Sequence, residues 1–188
     1  MTARIERLLT IADWEAMPHG DGNRYEIIEG ELFVSCSPGL THQHVAVNLT
    51  GAIWMFLESN PIGTVVATPG LILSKFSGVI PDIVVFLKEQ RETIVKNDRL
   101  MGPPALVVEI LSPGSSNVRR DRVIKLNLYA KHLVSEYWIV DPQNRSLERY
   151  VLHESSLELL ETLTSEDHLT INALPGFAYP MSKIFRDT

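Results

Sequence analysis

Two stretches of this chain are apolar except for one acid each. Residues 105–111, ALVVEIL, lie between Pro104 and Pro113 and contain Glu109; residues 80–87, IPDIVVFL, place Asp82 at the start of a second run. Short apolar runs bounded by turn residues predict strands buried on both faces. Elsewhere the pattern alternates or takes a helical period. Residues 10–17 predict a short helix capped by Thr10 and stopped by Pro18 and Gly20. Residues 25–28 and 32–34 alternate around Glu29-Gly30 and predict a hairpin. Val45, Leu49, Ile53, Phe56 and Leu57 recur near one face of a long helix over residues 41–59, closed by Asn60-Pro61. TVVAT and GLILS predict short strands, and the charged stretch from Lys88 to Pro104 predicts a short helix and a loop. A helix follows over residues 118–132, capped by the Ser/Asn cluster before it. Strands are expected on both sides of Asp141-Pro142 and in SLELLETL, and the tail LPGFAYPMSKIF is expected to pack its aromatics.

This order predicts an α/β fold: a mixed β-sheet core between the long early helix and the helix after Glu109, with added β-hairpins, in one domain over residues 1–188. Such a length buries a sizeable core without disulfides or structural zinc. No apolar run approaches the roughly 18 residues of a membrane span. The start, MTARIERLLTIADWEAM, has charges and a Trp where a secretory leader would be apolar, so a cytoplasmic location is expected. The single Cys36 excludes an internal disulfide and is expected to be a buried or half-buried thiol.

Charge sharpens the picture. The net charge of −6 argues against a strong general DNA binder, because such binding rests on neutralising phosphates. Residues 117–131 run the other way, with Arg119, Arg120, Arg122, Lys125 and Lys131 against Asp121 alone. A basic helix stripe is ordinarily a solvated face.

The chemistry starts from Glu109, since an ionised carboxylate in an apolar strand needs a partner, a metal or a shifted pKa. If the strands of Asp82 and Glu109 pair, both carboxylates reach one edge of the sheet. Such a pair, with the Ile110 carbonyl as a further ligand, suits Mg²⁺ completed by waters and phosphate oxygens. Phosphodiester hydrolysis uses every property of that ion. Asp121, Lys125 and Tyr129 fall at i, i+4 and i+8 on one stripe of the next helix. Facing the acids, Lys125 would orient the attacking water; facing solvent, it would pair with Asp121. Glu26, alternating against Ile27, is a weaker candidate for the same site. His42 and His44 point about 200° apart on a helix and cannot share one ion. Tyr137 and Trp138 are expected in the core.

Together these segments resemble a known family. Pro81-Asp82 with Glu109-Ile110-Leu111 is similar to the PD-(D/E)XK nuclease superfamily, with Leu111 where its lysine is usual. YEIIEGEL, His42 after Ser37-Pro38, PDIVVF, VVEILSP, the spacing from Asp121 through Lys125 to Tyr129, and EYWIVDP resemble the Uma-type restriction endonuclease family from about Leu9 to Leu152. The resemblance implies a restriction-endonuclease-like fold. It makes Asp82 and Glu109 the metal-binding acids, Lys125 the displaced lysine, Glu31 an additional acid from the hairpin, and His42 a hydrogen-bonding residue at a helix start or near the scissile phosphate. It implies Mg²⁺, with Mn²⁺ as a substitute, and DNA as substrate, and a homodimer would suit cutting both strands. Two other readings stay open: a catalytically silent binding module on the same fold, and a phosphodiesterase acting on a small nucleotide.

Overall fold

Thr10 fixes the first element. Its N–H and hydroxyl both donate to the Asp13 carboxylate at 2.8 Å, which sets the opening turn of helix α1 (Ile11–Glu15). A computed structural model describes residues 7–18 and 20–186. Strands β1 (Asn23–Ile28) and β2 (Glu31–Cys36) form the expected hairpin, with Ile28 opposite Glu31. Glu29 and Gly30 both have positive φ, 53° and 85°, the primed turn that matches strand twist. Gly30 has a second reason to lack a side chain, because a Cβ there would lie 2.7 Å from Leu8 Cβ.

Helix α2 (Leu40–Ser59) ends where Asn60 donates its backbone and side-chain N–H groups to Phe56 O. Strands β3 (Gly63–Ala67), β4 (Leu71–Ser74), β5 (Ser77–Val79) and β6 (Ile83–Leu87) follow. After a 3₁₀ turn at Lys88–Gln90 come α3 (Arg91–Ile94), β7 (Val95–Lys96), β8 (Arg99–Met101) and β9 (Leu106–Ile110). The next helix has three parts: α4 (Ser115–Arg119), a π-helical turn (Arg120–Lys125) and α5 (Leu126–Lys131). The chain finishes with β10 (Glu136–Asp141), β11 (Ser146–His153), β12 (Ser156–Leu163), β13 (His168–Thr170), β14 (Ala178–Pro180) and α6 (Met181–Ile184).

The central sheet has the order β12-β11-β10-β9-β6-β3, and β9 and β10 are its parallel pair, joined by the three-part helix. On one face, α2 buries Val45, Leu49 and Ile53 against Ile83, Val85, Val108 and Ile110, with Ile184 and Phe185 alongside. On the other, Val84, Phe86, Val107 and Ile139 pack against Leu128 and Tyr129 of α5 and against a second sheet. Each such fully buried aliphatic side chain contributes about 1.5–3 kcal/mol. Tyr137 and Trp138 are fully buried as expected, and in the tail Phe177 meets Phe56 edge-on at 5.5 Å.

The second sheet, ordered β2-β1-β5-β4-β8-β7, is larger than the added hairpins the pattern predicted. Part of the charged stretch read as loop is the hairpin β7–β8, turned by Asn97 and Asp98 at φ 50° and 61°. These two residues tolerate the left-handed region through local hydrogen bonds of their short polar side chains. Cys36 is exposed rather than buried, because it ends β2 at the edge of this sheet. Among the described residues no helix is long and apolar enough to cross a membrane.

Candidate active site

The register of β6 and β9 brings the two acids together. Ile83 lies opposite Val108, so one step further along this antiparallel ladder puts Asp82 opposite Glu109 on the same face. Asp82 closes the ladder itself, with Oδ2 accepting the Ile110 N–H at 2.8 Å. The same oxygen lies 3.1 Å from His42 Nε2, while Oδ1 accepts from Arg24 Nη1 at 3.0 Å. Glu109 faces α5. Its Oε1 accepts from Lys125 Nζ at 2.9 Å and from the Tyr129 hydroxyl at 2.7 Å.

Lys125 joins these acids to the hairpin. Its Nζ lies 2.8 Å from Glu26 Oε1 and 3.9 Å from Asp121 Oδ1, and Glu26 Oε1 also accepts the Ile80 N–H. Arg120 covers the group, 3.1 Å from Asp121 and 3.9 Å from Glu26. The cluster is buried throughout: Glu26, Asp82, Glu109, Asp121 and Lys125 are each no more than 3% exposed. Four carboxyl groups face three cations, Arg24, Arg120 and Lys125, before His42 is counted.

That imbalance splits the two ladder acids. Burial works against ionisation of Asp82, but the His42 hydrogen bond and charge, the Arg24 guanidinium and the Ile110 N–H outweigh it and hold its pKa at about 2. Burial dominates at Glu109; Lys125 opposes it, Asp121, Asp82 and Glu26 reinforce it, and the pKa is pushed up to about 8. Burial alone would lower Lys125, yet Glu109, Glu26 and Asp121 hold it above its ordinary value. Neighbouring carboxyls driven in opposite directions are how sites divide acid and base roles. Asp82 is held as an anion, while Glu109 is the easier of the two to protonate.

A cleft of about 360 Å³ opens onto this group, lined by Asp82, Glu109, Ile110, His42, Arg24 and Arg120 among others. Ionised Asp82 can only accept, so His42 Nε2 carries the hydrogen of that contact. His42 Nδ1 is then a buried ring nitrogen without a hydrogen-bond partner among the described residues.

A family model described as "Putative restriction endonuclease", Uma2, matches residues 11–182. The chain belongs to the Uma2 family. Among curated proteins none matches. The crystal structure of a "putative nuclease belonging to DUF820" from Anabaena variabilis superposes with a TM-score of 0.76 at 16% identity, covering 94% of this chain and 97% of that one. At that identity the likeness is one of fold, and the fold is the restriction-endonuclease-like mixed α/β architecture expected from the sequence.

In this Uma2 chain Asp82, Glu109, Lys125, Asp121 and Tyr129 converge, and Glu26 joins them. Glu31 does not. It shares a face of the hairpin with Glu26 but sits two residues nearer the turn, roughly 7 Å away along the strand, exposed beside Lys131 and Asn127. Lys125 meets Glu109 from the following helix, as expected. It stands behind Glu109 and Glu26, away from the cleft wall, and the cations that line the cleft are Arg24 and Arg120. Arg24 had a readable signal, since it lies two residues before Glu26 on β1 and so shares its face. Ile110 presents its N–H to Asp82.

The donor set fits a hard divalent cation of modest protein ligation. Among the described residues no three His, Cys, Asp or Glu side chains are grouped to hold an ion unaided. Mg²⁺ needs only one or two carboxylates, the remainder being waters and phosphate oxygens. Asp82 Oδ1 accepts one hydrogen bond and Glu109 Oε2 none among the described residues, so each keeps acceptor capacity for a ligand.

Proposed function

We propose that this chain is a Mg²⁺-dependent nuclease, with Mn²⁺ as a competent substitute, that hydrolyses phosphodiester bonds in DNA. One observation carries the reading: a buried pair of strand carboxylates sits at the floor of a cleft walled by two arginines. Family membership and the nuclease named for the structural neighbour support it.

In this reading Asp82 and Glu109 would hold the cation, which would polarise a phosphoryl oxygen and lower the pKa of a bound water. Arg24 and Arg120 receive the scissile phosphate and offset charge as the pentacoordinate transition state forms. Water adds to phosphorus and releases a proton to solvent, the bond to the leaving oxygen breaks, and that oxygen takes up a proton from solvent. Lys125 is a positioning residue. Two of its three N–H groups lie on Glu26 and Glu109 and hold Glu109 in place from behind.

Nicking of supercoiled plasmid should require Mg²⁺ or Mn²⁺ and should vanish in Asp82→Ala and Glu109→Ala. A second reading, a silent binding module, draws on the closed state of the pair, in which both oxygens of Asp82 already accept from Arg24, His42 and Ile110. Calorimetry separates the two. A Mg²⁺ isotherm that Glu109→Ala abolishes supports the enzyme; no isotherm and no cleavage of single- or double-stranded DNA supports the binding module.

A further inference from the structure

The carboxylate cleft shares Arg24, Ser37 and Pro38 with a second cavity of about 440 Å³, which the reaction described above does not use. Its walls include Trp14, Tyr25, Asn23, Thr68 and Arg99. That volume falls in the range of small-molecule sites, and two aromatic rings with an amide and a guanidinium are a lining suited to a flat heterocycle.

The indole is held rigidly. Its Nε1 donates to Tyr25 O at 2.7 Å, and its six-membered ring lies directly on β5, where a Cβ at Gly78 would come within 2.5 Å of it. Gly78 therefore lets the ring seat against the strand, leaving a fixed aromatic surface for the cavity. Arg24 spans the two spaces, since it lines both while its Nη1 bonds Asp82 Oδ1 and Ile80 O. A phosphate at Arg24 thus has the carboxylates on one side and an aromatic pocket on the other.

We infer that this second cavity takes the base of the nucleotide adjoining the scissile phosphate. The substrate is then an unpaired strand, or a duplex with that nucleotide extruded, because a base inside an intact stack cannot enter a side pocket. This rests on the nuclease reading and narrows its substrate class. The charge agrees with it: at −6 the chain gains little from following the phosphates of a duplex, whereas stacking on an aromatic ring needs no net charge.

The test uses oligodeoxythymidine, alone and paired with oligodeoxyadenosine, with Ca²⁺ in place of Mg²⁺ to hold back hydrolysis. The single strand should quench tryptophan emission in Trp54→Phe protein and bind more tightly than the duplex. By fluorescence anisotropy, Trp14→Leu should weaken single-strand binding about tenfold. Asn23→Trp, which fills the cavity and leaves Trp14 in place, should do the same and guards against a folding defect in the first variant. Wild-type affinity in both variants, tighter binding of the duplex, or no binding at all would each overturn the inference. Cleavage with Mg²⁺ separates it from the nuclease reading. Unchanged KM for single strands in both variants removes the pocket and leaves the nuclease. A wild-type protein that never cleaves, yet loses binding in both variants, removes the nuclease and upholds the base site.

Discussion

Lys125 is 1% exposed, and the energetics of the cluster turn on it. An ammonium out of water is tolerated only while its partners match it, and removing one member of a buried charge pair is costlier than removing both. Lys125→Met keeps much of the side-chain volume and leaves Glu26 and Glu109 facing each other. We expect a loss of about 3–5 kcal/mol in urea unfolding at neutral pH. Tyr129→Phe removes only the hydroxyl that donates to Glu109 and should cost about 1–2 kcal/mol. Equal costs for the two substitutions would mean that Lys125 does not compensate the acids. Most of this cluster was legible in the sequence, because a lone acid in an apolar strand stands out and a helical stripe at i, i+4 and i+8 can be counted. The choice between Glu26 and Glu31 was harder. Both alternate onto the same hairpin face, and only the distance from the turn, which periodicity does not report, separates them.

At the level of elements, the helix between β9 and β10 is where sequence and structure differ in detail. The pattern gives one continuous helix over residues 118–132; the structure inserts a π-helical turn at Arg120–Lys125 and ends the helix at His132 and Leu133, the latter at φ 60°. A wide turn of this kind leaves no trace in hydrophobic spacing, because its outcome, Asp121 and Lys125 facing Glu109, is the same as that of a regular helix. Its carbonyl at Asp121 accepts the Tyr137 hydroxyl at 2.9 Å, which ties the turn to β10. The helix end carries a pH response. His132 Nε2 is buried without a hydrogen-bond partner among the described residues, and burial lowers its pKa, opposed by Glu29 and assisted by Lys131. The unfolded chain therefore takes up a proton below about pH 6.5 that the folded chain resists, so this contribution is present above that pH and is lost as the pH falls through the interval below it. Compared between about pH 7.5 and 5.5, wild-type protein should lose more stability than His132→Gln. Parallel curves for the two proteins would show that the imidazole titrates normally in the fold.

Over the whole molecule, long-range pairing is what the sequence conceals. The central sheet was legible because β6, β9 and β10 are continuous apolar runs. The second sheet was not, because it is assembled from strands as short as Val95–Lys96, and β4 joins β8 in parallel across a separation that no local pattern encodes. The same holds for charge. The basic residues of the helix look like a phosphate-binding stripe, but Arg120 is taken by Asp121, Arg122 by Glu148, Lys125 by Glu26 and Glu109, and Lys131 by Glu29. Arg24 is likewise engaged with Asp82 and Arg99 with Glu15. On this helix Arg119 alone has no ion-pair partner among the described residues, so the stripe offers little free charge to displace counterions from a nucleic acid. Each neutralised phosphate contributes about −0.7 to the slope of log affinity against log salt for a single strand. With about three phosphates neutralised, the slope should be near −2, which loses roughly tenfold to twentyfold between 50 and 200 mM NaCl at constant divalent ion. A slope steeper than about −6 would mean that the ion pairs of this helix open on binding and present their cations to the phosphates.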